Sequence, residues 1–293
     1  MLKTIGIISP ANSIVGEKSK KTFIDGVQKL KEAGFDVLIG KNVYSTSYFG
    51  YCGTIEEKLE DLYYMINCEK VDYIMCSTGG VNSNVILDYI NYEMIQNNKK
   101  KFIGNSNVVL LFNALFEKCN IKSYIGPNVK TLGKLPTDFS LNCIKEKLMN
   151  SSLKILMEKE NIIIKNGKVE GIAIGGNIAS MRRILSTPFF PKLRDYILYV
   201  EADFNETNYT EFDSIIKQYL QAGIIENAKG IILGSYQNND EDVLNFMKEE
   251  FKNFDGPVVV CENLGHNVSN NMLPIGKKII LDTYKNEIVE LDE

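Results

Sequence analysis

The chain has 293 residues, of which 44% are hydrophobic, and its formal net charge is −4. This length allows one large or two ordinary domains with a substantial core. The slight excess of acidic residues argues against a nucleic-acid-binding protein, which normally has a basic face. No apolar run reaches the roughly 18 residues that a membrane-spanning helix needs.

The six cysteines are dispersed and show neither a C-x-x-C pair nor another metal-binding spacing. They are Cys52, Cys68, Cys76, Cys119, Cys143 and Cys261. The first apolar stretch is too short for a signal peptide and has no cleavage site. We therefore expect reduced, mostly buried thiols in a cytoplasmic protein.

The first half of the chain alternates short apolar runs with helical patterns, which is typical of a parallel sheet covered by helices. The predicted strands are residues 4–9, 37–39, 71–76 and 101–104. The first predicted helix has Phe23, Val27 and Leu30 on one face. The second spans residues 56–68, the third begins at 82–84 with an asparagine N-cap, and the fourth spans 108–116. The pattern predicts an open α/β sheet.

The pattern becomes charged and rich in asparagine over residues 134–168. We place the domain boundary there, with an N-terminal α/β domain over 1–150 and a β-rich C-terminal domain over 168–293. A hairpin is predicted at 162–169 around Asn166-Gly167. The later predicted elements are strands at 196–200, 230–233 and 258–261, a helix at 211–221, and a final strand at 278–282 that opens from Pro274-Ile275-Gly276.

His266 is the only histidine of the chain, and it lies in residues 263–267 (NLGHN), a loop-like stretch directly after an apolar run. A serine nucleophile at neutral pH needs a base with a pKa near 7, and histidine is the usual one. His266 is thus the one candidate for that base. The residue also fits an ordinary loop histidine.

Ser106 lies between the strand at 101–104 and the helix at 108–116, so the sequence predicts a serine on a tight strand-to-helix turn. A helix N-terminus favours negative charge there. Only part of the G-x-S-x-G motif is present, because Gly104 is followed by Val108 at the second glycine position. A serine that simply caps a helix is the commoner explanation of such a segment.

Gly79-Gly80 follows the neighbouring strand, and two glycines allow a backbone to approach a ligand closely. The amides of Gly80 and Asn107 together are candidates for an oxyanion hole. An ordinary turn between a strand and a helix explains the same two glycines.

Glu201 ends the strand at 196–200, which directs it to the rim where active sites of α/β proteins collect. Asp203, two residues further on, is an alternative. A solvated carboxylate is the ordinary interpretation of either residue.

Taken together, these residues resemble the LD-carboxypeptidase family of serine peptidases, which also includes the microcin C immunity proteins. The resemblance covers nearly the whole chain. The similar segments are residues 5–10 (IGIISP), 53–62 (GTIEEKLEDL), 78–84 (TGGVNSN), 88–92 (DYINY), 102–106 (FIGNS), 126–127 (GP), 175–177 (GGN), Glu201, 265–266 (GH) and 273–276 (LPIG).

The resemblance implies Ser106 as nucleophile, His266 as general base, Glu201 as the residue that orients it, and Gly80 and Asn107 as oxyanion donors. It also implies an active site at the interface of the two domains, in a cytoplasmic homodimer without metal or organic cofactor. Asn107 departs from the family, which usually has aspartate at this position.

Two branches of the family fit, and they imply different small substrates. One removes the terminal D-alanine from muropeptide tetrapeptides, and the other cleaves an amide in peptidyl-nucleotide antibiotics. The segment Asn82-Ser83-Asn84 is more similar to the immunity branch, whereas the absence of tryptophan removes any indole stacking on a base. A non-catalytic sensor of a peptide or nucleotide is the alternative, and Asn107 is its best support. None of these three interpretations requires a nucleic acid or a membrane.

Overall fold

A computed structural model of the chain describes residues 2–47, 50–98, 100–150, 154–156, 162–202, 208–235, 241–266 and 270–291. The described strands are, in chain order, β1 (Lys3–Ile8), β2 (Phe35–Ile39), β3 (Tyr73–Cys76), β4 (Lys101–Gly104), β5 (Ser123–Ile125), β6 (Lys154–Leu156), β7 (Ile162–Lys165), β8 (Lys168–Asn177), β9 (Tyr196–Glu201), β10 (Ala228–Ser235), β11 (Val258–Gly265), β12 (Leu273–Ile275), β13 (Lys278–Asp282) and β14 (Glu287–Glu290).

The described α-helices are α1 (Glu17–Glu32), α2 (Ile55–Asn67), α3 (Tyr92–Ile95), α4 (Val109–Cys119), α5 (Val129–Lys134), α6 (Phe139–Asn150), α7 (Ile178–Met181), α8 (Tyr209–Gln221) and α9 (Glu241–Glu250). Two 3₁₀ helices span Ser83–Tyr89 and Ser106–Val108. Helix α2 begins with a capping box, in which Thr54 and Glu57 each bind the other's backbone N–H.

The first sheet has the strand order β12-β5-β4-β3-β1-β2. Strands β1 to β5 are parallel, and β12 is added antiparallel at one edge. Alternate side chains of a strand face opposite sides of a sheet. Ile5 and Ile7 accordingly pack with α1, α5 and α6 in one core, whereas Ile8 packs with α2 and α4 in the other. The predicted open parallel sheet is confirmed.

The second sheet has the order β6-β14-β13-β8-β9-β10-β11-β7 and mixes parallel with antiparallel pairs. Helix α4 lies against it, and Asn113 of that helix accepts from the Gly175 N–H at 3.0 Å and donates to its carbonyl at 2.9 Å. One core cluster therefore includes residues from α4 and from both sheets. This packing brings the C-terminal ends of β4 and β9 towards each other.

The predicted hairpin at 162–169 is wrong. Strand β7 pairs with β11, and β8 pairs with β9 and β13, so the two strands lie apart in one sheet. Gly167 instead exchanges hydrogen bonds with Thr283, since its N–H donates to the Thr283 hydroxyl at 2.8 Å and its carbonyl accepts the Thr283 N–H at 3.1 Å. Burial of long-range strand pairs outweighs the local turn preference of Asn-Gly here.

Three further elements differ from the sequence-based expectations. The segment Ser83–Tyr89 is a 3₁₀ helix, and the Asn82 side chain bonds the Tyr51 hydroxyl rather than capping it. Residues 139–150 form α6 within the stretch expected to be irregular. Strand β13 is followed by β14, and Pro274-Ile275 belongs to the separate strand β12 in the other sheet.

The division into domains at 1–150 and 168–293 stays a prediction. Strand β12, from the second range, lies in the first sheet, and β6, from the segment between the ranges, lies in the second sheet. All six cysteines are free thiols. Within the described ranges, no helix combines the length and apolar character needed to cross a bilayer.

Candidate active site at the junction of the two sheets

Ser106 occupies the turn that the sequence predicts between β4 and α4. Asn105 is extended, with φ −141° and ψ 176°, and Ser106 then takes φ 66° as the first residue of the 3₁₀ turn. This left-handed region is uncommon for a residue other than glycine and recurs at functional sites. Ser106 lines a cavity there, and its hydroxyl makes no hydrogen bond with any residue that the structure describes.

Asn105 ties the serine turn to the loop that carries the histidine. Its side-chain Nδ2 donates to the Gly265 carbonyl at 3.1 Å, one residue before His266. Its backbone N–H donates to Asn128 Oδ1 at 3.2 Å, and Asn128 Nδ2 donates to the Asn105 carbonyl at 3.2 Å. Sequence reasoning missed this role. The one available signal was a polar residue between an apolar strand and an apolar helix.

Glu201 and His266 form a hydrogen-bonded pair, with 2.6 Å between Glu201 Oε2 and His266 Nδ1. The Glu201 side chain is 0% exposed and that of His266 is 28% exposed. In the arrangement where Glu201 Oε2 accepts this hydrogen bond, His266 Nδ1 is the donor and Nε2 is the nitrogen that can act as a base. Asp203, the alternative carboxylate, lies outside the described residues.

The Glu201 carboxylate is fully buried. Its second oxygen and the Tyr199 hydroxyl are both buried without a hydrogen-bond partner among the described residues. Burial, and then the nearby Glu201 charge, raise the pKa of Tyr199 well above its usual range. A buried carboxylate of this kind interacts strongly with a single partner, and that partner is His266.

Gly79 and Gly80 are required by close approach, not only by the turn. A Cβ on Gly79 would lie 2.7 Å from Ser106 Cβ and 3.0 Å from its Oγ. Gly80 has φ +111°, and a Cβ there would lie 2.2 Å from the Asn12 side chain. Asn12 Oδ1 accepts the Val81 N–H at 2.9 Å, which fixes the loop beside the serine.

Asn107 is fully buried, and its side chain does not line the cavity. Asn107 Oδ1 accepts from the Ser83 N–H at 2.7 Å, and its Nδ2 donates to Ser180 Oγ at 3.3 Å. The Ser83 hydroxyl donates to the Asn107 carbonyl at 2.6 Å. The neutral amide thus joins the segment after the glycine turn to α7, next to the second sheet.

A cavity of about 480 Å³ brings the predicted residues Gly79, Gly80, Ser106 and His266 together, with Glu201 behind the histidine ring. Further polar residues from the surrounding loops and from helices α1 and α5 line it: Asn12, Ser13, Ser19, Tyr51, Thr78, Asn128, Lys130, Thr131 and Lys134. Among the residues that the structure describes, no group of three histidine, cysteine or acidic side chains is arranged to hold a metal.

Sequence comparison identifies the family. The LD-carboxypeptidase N-terminal domain matches residues 5–126, and the LD-carboxypeptidase C-terminal domain matches residues 170–281. The chain therefore belongs to the LD-carboxypeptidase family, as its motifs predict.

Several curated proteins are similar over most of their length. A putative carboxypeptidase of Treponema pallidum is 27% identical over 94% of this chain and 88% of its own. A probable murein peptide carboxypeptidase of Bacillus subtilis is 26% identical over 96% and 89%. The microcin C7 self-immunity protein MccF of Escherichia coli is 24% identical over 99% and 93%.

Solved structures share the fold over the whole chain. An MccF-like protein of Bacillus anthracis superposes with a TM-score of 0.89 at 24% identity, covering 100% of this chain and 97% of that one. An MccF-like protein of Streptococcus pneumoniae, solved in complex with AMP, gives 0.86 at 21% identity and covers 99% of both chains. The predicted pairing of an α/β part with a β-rich part is confirmed by these likenesses.

Proposed function

We propose that this protein is a serine-type amide hydrolase that releases the terminal unit of a small peptide or peptidyl-nucleotide. Ser106 is the nucleophile, His266 the general base, and Glu201 the residue that orients the imidazole. The observation that carries the proposal is the Glu201–His266 hydrogen bond of 2.6 Å at the wall of the cavity that Ser106 lines.

The reaction would proceed by acyl transfer. His266 Nε2 takes the Ser106 proton as Oγ attacks the amide carbonyl, and it then gives that proton to the leaving amine. A water molecule, activated by the same nitrogen, hydrolyses the acyl-enzyme. The buried Glu201 carboxylate stabilises the imidazolium that forms in each step.

The oxyanion would be held by the backbone N–H groups of Gly80 and Asn107. The Gly80 N–H has no acceptor among the described residues. Asn107 lies in the first turn of the helical segment that begins at Ser106, where the free N–H groups and the helix dipole favour a developing negative charge. Each such donor typically contributes about 10²- to 10³-fold to the rate.

The substrate class follows the names of the relatives, which divide between murein peptide carboxypeptidases and microcin immunity proteins. The test is a mass-spectrometric hydrolysis assay with a muropeptide tetrapeptide and a peptidyl-aminoacyl-nucleotide analogue. Loss of D-alanine assigns the first class, and release of the nucleotide fragment assigns the second.

Two variants control this assay. Ser106→Ala should lower the rate by several orders of magnitude. Ser186→Ala, a change at an exposed serine with a similar φ of 61°, should leave the rate unchanged. No turnover of either substrate by the wild-type protein would contradict the proposal.

A non-catalytic peptide or nucleotide sensor is the second candidate, and Asn107 favours it because a neutral amide stands where the family usually has aspartate. Asn107→Asp tests this. We expect only a modest change in rate, because Ser180 Oγ can reverse its role and donate to a carboxylate. A gain of several orders of magnitude would show that this chain has lost its family's chemistry.

We also propose a cytoplasmic homodimer that is divided into domains at 1–150 and 168–293. Light scattering of the purified protein tests the dimer, and a monomeric mass would contradict it. Scanning calorimetry tests the division into two domains, and a single two-state unfolding transition would contradict it.

A further inference from the structure

Helix α5 presents two lysines to the active-site cavity. A different face of this helix is packed on α1 so closely that a Cβ on Gly133 would lie 1.8 Å from the Thr22 carbonyl. Val129 and Leu132 are buried on that side, whereas Lys130 and Lys134 line the cavity. Residues four apart share a helix face, so both ammonium groups extend from the same side of α5.

The first turn of α5 is fixed to the catalytic loops. The Lys130 N–H donates to the Ser77 carbonyl at 2.9 Å, directly before the glycine turn. Asn128, which precedes the helix, exchanges two hydrogen bonds with Asn105, the neighbour of Ser106. Lys130 is therefore held at a defined place relative to the nucleophile.

The two lysines lack acidic partners within the part of the chain that the structure describes. No described carboxylate lines the cavity, whose other ionisable residues are His266 and Tyr51. Burial, and then the charge of Lys134, lower the pKa of Lys130. Like charges four residues apart on a helix destabilise it. An anion bound between the two ammonium groups would offset this repulsion.

We propose that Lys130 and Lys134 bind the anionic group of the substrate's leaving portion. This group would be the terminal carboxylate of a peptide or the phosphate of a nucleotide. The inference rests on the proposed hydrolase, because it assigns the specificity of the same site. Half-buried Lys130 makes the direct contact, and exposed Lys134 attracts the anion at the cavity rim.

The experiment measures binding by calorimetry in the Ser106→Ala background, where no turnover interferes. Two ligand pairs differ only in the anionic group: a muropeptide tetrapeptide against its C-terminal amide, and AMP against adenosine. We expect the carboxylate or the phosphate form to bind more tightly in one pair. Lys130→Met should abolish this preference, with a loss of about 10- to 100-fold for the anionic ligand and no loss for the neutral one.

Further variants make the result specific. Lys134→Met should cause a smaller loss that disappears at high salt, because exposed charges are screened. Lys145→Met, a change at an exposed lysine of α6 that does not line the cavity, should alter neither ligand's affinity. Circular dichroism and thermal denaturation confirm that each variant is folded.

An unchanged preference in Lys130→Met, or no preference in either pair, would overturn the inference. Its failure is distinct from that of the proposed function. If the wild-type protein hydrolyses no amide but still discriminates an anionic ligand through Lys130, the hydrolase proposal fails and the anion site stands. The ligand pair that shows the preference identifies whether the site binds a peptide carboxylate or a nucleotide phosphate.

Discussion

Replacing Ser106 by glycine is expected to give a more stable protein than replacing it by alanine. Ser106 has φ 66°, and a left-handed conformation costs a residue with a Cβ about 1–2 kcal/mol. Glycine removes this strain. Its greater conformational freedom in the unfolded chain, however, lowers the stability by about 0.4–1 kcal/mol relative to alanine. The midpoints of these two ranges leave the glycine variant about 0.8 kcal/mol more stable. Both variants lack the hydroxyl, so the comparison isolates the backbone.

Urea denaturation measures this difference. The chain has 15 tyrosines and no tryptophan, so tyrosine fluorescence and circular dichroism are the two probes. Coincident transitions by both probes justify a two-state free energy. Ser186, which is exposed and has φ 61°, should show the same preference for glycine. Ser123, which lies in β5, should show the opposite one.

The result that refutes this reasoning is an alanine variant at Ser106 that is as stable as the glycine variant, or more so, while Ser186 behaves as expected. Ser106 would then not be held in a strained conformation. The nucleophile turn would have to be explained without stored strain.

Three other substitutions test the site and its support. Glu201→Gln should keep the fold and lower kcat by about 10³- to 10⁴-fold, because the imidazole loses its charged partner, as steady-state kinetics would show. Glu290 is 3% exposed and forms ion pairs with Lys147 and Lys277. Glu290→Gln should lower the free energy of unfolding in urea by about 3–5 kcal/mol. The matched change at the exposed ion pair, Glu249→Gln, should lower it by under about 1 kcal/mol. Gly80→Ala should lower both activity and the melting temperature, since its Cβ meets a neighbouring side chain. Gly16→Ala, with φ +79° and open space, should lower stability alone.

The sequence predicts the first sheet well because its signals are local. The apolar runs of β1 and β3 and the helical pattern of α2 specify their elements within a residue or two, and the Lys101–Gly104 strand is matched at both ends. The strands are buried on both faces, and α2 buries one apolar face. Pattern and packing therefore point to the same structure.

Long-range pairing is where the sequence-based expectations fail. Asn166-Gly167 has the composition of a hairpin turn, but strand β7 gains more by pairing with β11. Nothing in the order of residues shows that Thr283, more than a hundred residues away, binds Gly167. The same holds for Asn105 and Gly265, whose contact depends on both sheets being assembled.

The candidate site was predicted from residue types, whereas its geometry depends on the fold. A single histidine limits the choice of base to His266, and strand ends limit the choice of partner to Glu201 or Asp203. Only the structure shows that Glu201 lies 2.6 Å from the imidazole. The lysines of α5 were not predicted, because their role depends on which helix face α1 covers.

Covalent labelling of the proposed nucleophile tests the proposed function most directly. The wild-type protein and His266→Ala are treated with a small fluorophosphonate, and peptide mapping by mass spectrometry measures the site and rate of the adduct. We expect an adduct on Ser106 that forms far more slowly in His266→Ala. Labelling of another residue, or an equal rate in both proteins, would contradict it.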